Sequence, residues 1–159
     1  MRIVMLSMLL LTVTAKKVLL PSSPSAYLYQ QSDLVLWKYL FGGPYGDKEE
    51  FRGYLKDLEE NVASVAFTVI DKPSQQPIGI VTYMNIVPGM RRLEIGGIWY
   101  TPKFHRTYAN TEACYLLLKY AFEDLQYRRV EWKCGALLNS LPTHTPARCG
   151  YLHSHLKIT

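Results

Sequence analysis

Apolar residues recur along the chain with two periods, and the change of period marks the elements. Phe51, Tyr54, Leu55, Leu58 and Val62 stand at helical spacing. That is a single stripe, so the pattern predicts a helix opening at Asp47 with those five side chains in the core. Asp47 and Glu50 have the spacing of a capping box. Beyond this helix the period shortens. "SVAFTVI" (64–70), "IGIVTYMNI" (78–86) and "LEIGGIWY" (93–100) read as strands, separated by the turns "DKPSQQP" and "VPGM". Short connections make an antiparallel meander the expected topology. A second helix is expected from about Asn110 to Leu125. Ala113, Leu116, Leu117, Tyr120, Ala121 and Leu125 form its apolar side, and Glu112, Lys119 and Glu123 face water. "RVEWKC" (129–134) then reads as a fourth strand, which the intervening helix places parallel to the third. The pattern is a mixed α/β (α+β) sheet with helices packed on it.

The ends read less clearly. "LVLWKYL" (34–40) suits a short helix, and "PSSPSA" (21–26) and "FGGPYG" (41–46) are loops. The first residues, "MRIVMLSMLLLTVTAKK", fit either a buried first strand or a secretory signal cleaved after Ala15. The strand is the preferred reading, and the run is too short to span a bilayer. The tail "LLNSLPTHTPARCGYLHSHLKIT" carries Pro142 and Pro146, which oppose a continuous helix. We expect one domain over 1–159, with atypical ends at 1–33 and 135–159.

Composition adjusts this picture modestly. Hydrophobic residues make up 48% of the chain, enough for a core rather than a disordered segment. The net charge of +5 is spread over small clusters such as Arg91-Arg92 and Arg128-Arg129. A lean of that size suits an anionic small ligand as well as RNA, and the lack of a long Lys/Arg run argues against nucleic acid. Cys114, Cys134 and Cys149 are odd in number and widely spaced, which argues against a disulfide framework and fits a reducing, cytoplasmic setting. Cys134 has no histidine beside it and reads as a buried thiol. His144, His153 and His155 are too weak a pattern for a metal site.

The candidate chemistry lies in "TPKFHRTYANT", between the third strand and the second helix. A helix start presents free amides and a partial positive charge, where phosphates bind. Arg106 adds a permanent planar cation there. The plainer alternative is a capped helix with an exposed arginine.

The segment "GGIWYTPKFHRTYANTEACYLLLKYAFEDLQYRRVEWKC" and the order of elements resemble the GCN5-related N-acetyltransferases (GNAT), and within them the ribosomal-protein N-acetyltransferases. The resemblance extends over about Leu34 to Tyr151, is strongest from Gly96 to Cys134, and includes Thr111-Glu112-Ala113, Asn139 and Gly150-Tyr151. It implies acetyl transfer from acetyl-CoA to a primary amine, either a protein N-terminus or a small amine. It also implies a sheet splayed at one point. Main-chain groups near Ile98, Trp99 and Tyr100 would hold the pantetheine arm. The amides of Arg106, Thr107, Tyr108, Ala109 and Asn110 would hold the pyrophosphate, and Asn139 would bond near the amide arm. Glu94 would serve as base and Tyr151 as acid. A solvent-facing Glu94 paired with Arg91 or Arg92 is the alternative role for that residue. Gly96 and Gly97 suit a bulge that opens the sheet. The resemblance also implies further C-terminal strands, and we expect the chain to stop short of them, leaving a sheet edge uncovered. A catalytically inactive binding domain or a truncated product is therefore the second reading, and a secreted basic protein the third.

Overall fold

The computed structural model describes residues 42–133 together with the backbone of Met5–Leu6, Val13–Lys17 and Gly150–His153. The expected helix at 34–40, Asn139, Cys134, Cys149, His144 and His155 lie outside the described residues.

Asp47 starts the first helix, α1 (Lys48–Glu60), by accepting the amides of Glu49 and Glu50 at 2.8 and 2.9 Å. Glu50 reaches back to accept the Gly46 amide at 2.7 Å, one residue earlier than a capping box requires. The backbone turns extended at Asn61, so the helix stops before the stripe does. Phe51 and Leu55 are buried, and Tyr54 and Leu58 pack partly buried against the same cluster. Val62, expected in the core, is fully exposed because it lies past the helix end.

Strands β1 (Met5–Leu6), β2 (Val13–Lys17), β3 (Val65–Asp71), β4 (Pro77–Val87) and β5 (Arg92–Tyr100) run antiparallel in chain order. The segment Val13–Lys17 thus pairs with β3 as a strand. After β5, helix α2 (Ala109–Lys119) continues as a wider π turn over Tyr120–Asp124. It returns the chain to β6 (Arg129–Trp132), which lies parallel to β5. The expected uncovered edge at β6 is not found. Strand β7 (Gly150–His153) pairs antiparallel with β6, so the tail supplies a seventh strand despite its prolines.

The two helices cover opposite faces of the sheet. Phe51 and Leu55 of α1 pack on Ala66, Ile80 and Trp99. Ala113 and Leu117 of α2 and Ala121 of the π turn pack on Phe67, Val69, Val81, Leu93, Ile95, Tyr100 and Val130. The Tyr83 hydroxyl crosses this second core to donate to the Leu117 carbonyl at 2.5 Å. Leu125, expected on the apolar side of α2, is exposed beyond the π turn. Among the described residues no helix is long and apolar enough to cross a membrane.

Candidate functional site

Strand β5 changes faces halfway along. Leu93 and Ile95 point toward α2, and strict alternation would send Gly97 and Trp99 the same way. The register against β4 instead slips between Thr82–Gly96 and Ile80–Trp99, so β5 carries one extra residue there. Ile98 and Tyr100 consequently join the α2 core, and Trp99 joins the α1 core. Gly97 makes the bulge feasible. Its φ of +57° is left-handed, and a Cβ there would meet Thr82 Oγ1 at 3.2 Å. Gly97→Val is expected to destabilise the fold by about 2 kcal/mol, because a β-branched residue is strained in that region. A lower urea midpoint at unchanged slope checks this.

The bulge marks where β5 and β6 part. Their parallel pairing covers Arg92–Arg129, Leu93–Val130 and Glu94–Glu131 and goes no further. Past that rung β5 runs on to Tyr100 while β6 ends at Trp132. The gap opens into a cavity of about 400 Å³ on the α2 side, lined by Ile95, Ile98, Asn110, Thr111, Cys114, Tyr115, Leu118, Val130, Glu131 and Trp132. The Thr101 amide bonds to the Ile78 carbonyl at 2.8 Å. Antiparallel alternation then turns the main-chain groups of Trp99 toward β4 and those of Ile98 and Tyr100 toward the gap. The Tyr100 carbonyl accepts from His105 Nε2 at 2.9 Å, which ties the following loop to the end of β5.

The start of α2 faces the same cavity. Tyr108 supplies no side-chain cap. Thr107 Oγ1 takes the Ala109 amide at 3.3 Å and donates to the Phe104 carbonyl at 2.8 Å. Helix geometry leaves the amides of Asn110 and Thr111 without intrahelical partners, and both residues line the cavity. Arg106 is exposed in this loop at φ +59°, and Tyr108 is 81% exposed beside it.

Of the residues singled out from the sequence, Ile98 and Asn110 therefore line the cavity. Arg106, Thr107 and Tyr108 lie in the exposed loop before α2 and do not line it, while Trp99, Tyr100 and Ala109 have buried side chains. Glu94 is buried on the face opposite Leu93 and Ile95. It pairs with neither Arg91 nor Arg92. Its carboxylate accepts from Asn85 Nδ2 at 2.8 Å and from Lys133 Nζ. Across the sheet, register places Glu94, Glu131 and Tyr151 on one row. Glu131 also lines the cavity, so the cavity floor reaches the row that carries Glu94.

Thr111, Cys114, Tyr115 and Leu118 were not singled out as site residues. Their helical spacing follows Asn110 down the wall of the gap. Cys114 has its thiol pushed up to about 11 by burial. It stays protonated near neutral pH and is a poor nucleophile. Among the described residues no cluster is arranged to hold a metal ion.

The Acetyltransferase (GNAT) domain family matches residues 23–137. This chain belongs to the GNAT acetyltransferase family. A comparison with curated protein sequences finds no match. Among solved structures, the GNAT domain resembles a GCN5-related N-acetyltransferase from Brucella melitensis at 29% identity and TM-score 0.75, over 83% of this chain and 60% of that one. It resembles a probable acetyltransferase of the GNAT family from Chromobacterium violaceum at 30% identity and TM-score 0.75, over 84% and 66%. It shares its fold with a spermidine N-acetyltransferase from Vibrio cholerae, solved with CoA and spermine, at 20% identity and TM-score 0.59, over 76% and 70%. The chain thus spans slightly under two thirds of the length of the first two.

Proposed function

We propose that this GNAT domain transfers acetyl from acetyl-CoA to a primary amine. The observation that carries the reading is the early end of the β5–β6 pairing over a cavity whose other wall is the first turn of α2, where the Asn110 and Thr111 amides have no intrahelical partner. In this reading the pantetheine arm lies along β5 and bonds to the main chain of Ile98 and Tyr100, as an added strand would. The pyrophosphate sits at the amides from Arg106 to Asn110 with the Arg106 guanidinium beside it. Asn139 is assigned to the amide arm.

The acceptor amine approaches from the Glu94 side of the sheet. Its lone pair attacks the thioester carbonyl, the C–S bond breaks, and the CoA thiolate leaves. Glu94 takes the amine's proton, directly or through a water. Tyr151 returns a proton to the thiolate, a role consistent with its place on the Glu94–Glu131 row. The acceptor is a protein N-terminus or a small amine. The resemblance of Gly96–Cys134 to ribosomal-protein N-acetyltransferases supports the former, and the spermine-bound neighbour supports the latter.

Isothermal titration tests the cofactor assignment. The intact chain is expected to bind acetyl-CoA one to one. Arg106→Glu should weaken binding about tenfold or more, the loss of one charge-assisted hydrogen bond. Equal affinity in both proteins would remove Arg106 from the phosphate site, and absence of binding by the intact chain would refute the reading.

A further inference from the structure

Two carboxylates stand side by side where β5 and β6 part. Glu94 and Glu131 are register partners, 7% and 5% exposed, and like charges directly opposite on neighbouring strands repel. The cations around them are divided unequally. Glu131 Oε1 is ion-paired with Arg129 Nε at 3.1 Å and accepts a hydrogen bond from Arg92 Nη1 at 3.4 Å. Glu94 is paired with neither arginine. Among the described residues its cation is Lys133, the residue just past the end of β6, with Asn85 of β4 donating to the same carboxylate oxygen. Lys133 Nζ also reaches Glu131 Oε2 at 3.5 Å. One ammonium thus spans the two strands on the last row before the gap.

We propose that Lys133 is a positioning residue for acyl transfer, clasping the Glu94 carboxylate at the mouth of the gap so that it stays aimed at the incoming amine. The proposal rests on the acetyl-transfer reading and adds to it a residue that touches neither the thioester nor the amine. Asn85 and Lys133 approach Glu94 from the strands on either side, which leaves the carboxylate little freedom to swing away. The hydrogen bond to Glu94, followed by the attraction of both carboxylates, raises the Lys133 ammonium above the usual lysine range. It therefore remains a cation and does not compete as an acceptor amine. Glu131, held by two arginines, keeps the far end of the clasp fixed.

The test compares the full chain with Lys133→Met and Lys133→Arg. Acceptors are drawn from a panel of alkyl diamines and short peptides with free N-termini, and the fastest is used for thiol-release kinetics. The expected result for Lys133→Met is kcat lowered about tenfold with the acceptor KM and the acetyl-CoA affinity unchanged, because only the aim of the carboxylate is lost. Lys133→Arg is expected to restore most of kcat. An unchanged kcat in Lys133→Met while acetyl-CoA still binds overturns the proposal. So does a loss of kcat that arginine does not restore. If the intact chain binds acetyl-CoA yet releases thiol with no acceptor, acetyl transfer is what fails. The carbon-13 chemical shift of the Glu94 carboxyl at fixed pH then decides the clasp, and the same shift in the intact chain and Lys133→Met refutes it.

Discussion

Glu94→Gln is expected to lower kcat for acetyl transfer by about 10²- to 10⁴-fold, the range lost when a positioned base is removed. The substitution keeps the size of the side chain and an oxygen for Asn85 or Lys133, so the fold should persist. Because Glu94 lies on the sheet face opposite Leu93 and Ile95, whereas the cavity opens on the α2 side, acetyl-CoA affinity should not change. The informative quantity is the split between turnover and binding. Thiol release measured at saturating acetyl-CoA, with calorimetric affinity alongside, separates loss of the base from loss of the site. A variant with nearly normal kcat would assign Glu94 to the structural pairing with Lys133 and Asn85 alone.

Cys114→Trp is expected to weaken acetyl-CoA binding about 100-fold or more, equivalent to roughly 2.7 kcal/mol. Cys114 sits on α2 between Asn110 and Leu118 and lines the cavity, so an indole there occupies the space assigned to the cofactor. The space is open, and the ring can enter it without displacing the core formed by Ala113 and Leu117. Cys114→Ala is the matching control. It removes a thiol that burial holds protonated and whose hydrogen bond to Asn110 Oδ1 is long, at 3.5 Å. Binding and turnover should both survive. Loss of turnover in the alanine variant would point to a covalent thiol route, which burial of the thiol opposes.

Much of the framework could be read from periodicity, because each face of an element that is buried repeats at its own period. The meander from β3 to β5, the crossover through α2 and the parallel β6 all follow from the alternation of "SVAFTVI" to "RVEWKC". The Gly96-Gly97 pair marked the bulge, since only glycine adopts a left-handed φ cheaply. Val62 and Leu125 were misplaced for one shared reason. An apolar stripe does not report where the backbone leaves the helix, and Asn61 and the π turn ended each helix early. β7 was hidden because a short segment after two prolines carries little strand signal of its own. It is defined by its partner, β6.

The cation that holds Glu94 was a recoverable omission. Alternation along β6 puts Glu131 and Lys133 on one face, and the predicted parallel crossover brings that face beside Glu94. The choice of Lys133 over Arg91 or Arg92 depended on register, which composition does not fix. The cavity wall beyond Asn110 was likewise present in the i, i+4 series of Asn110, Cys114 and Leu118. It could not be told from core until the strands were seen to part.

Acetyl-CoA is proposed to bind between the parted end of β5 and the start of α2. Amide chemical-shift mapping of the chain during titration with CoA tests it most directly. Saturable shifts are expected at Ile98, Tyr100 and the amides from Arg106 to Thr111, with α1 and β3 nearly still. Shifts centred on another surface, or no saturable response at these amides, would contradict it.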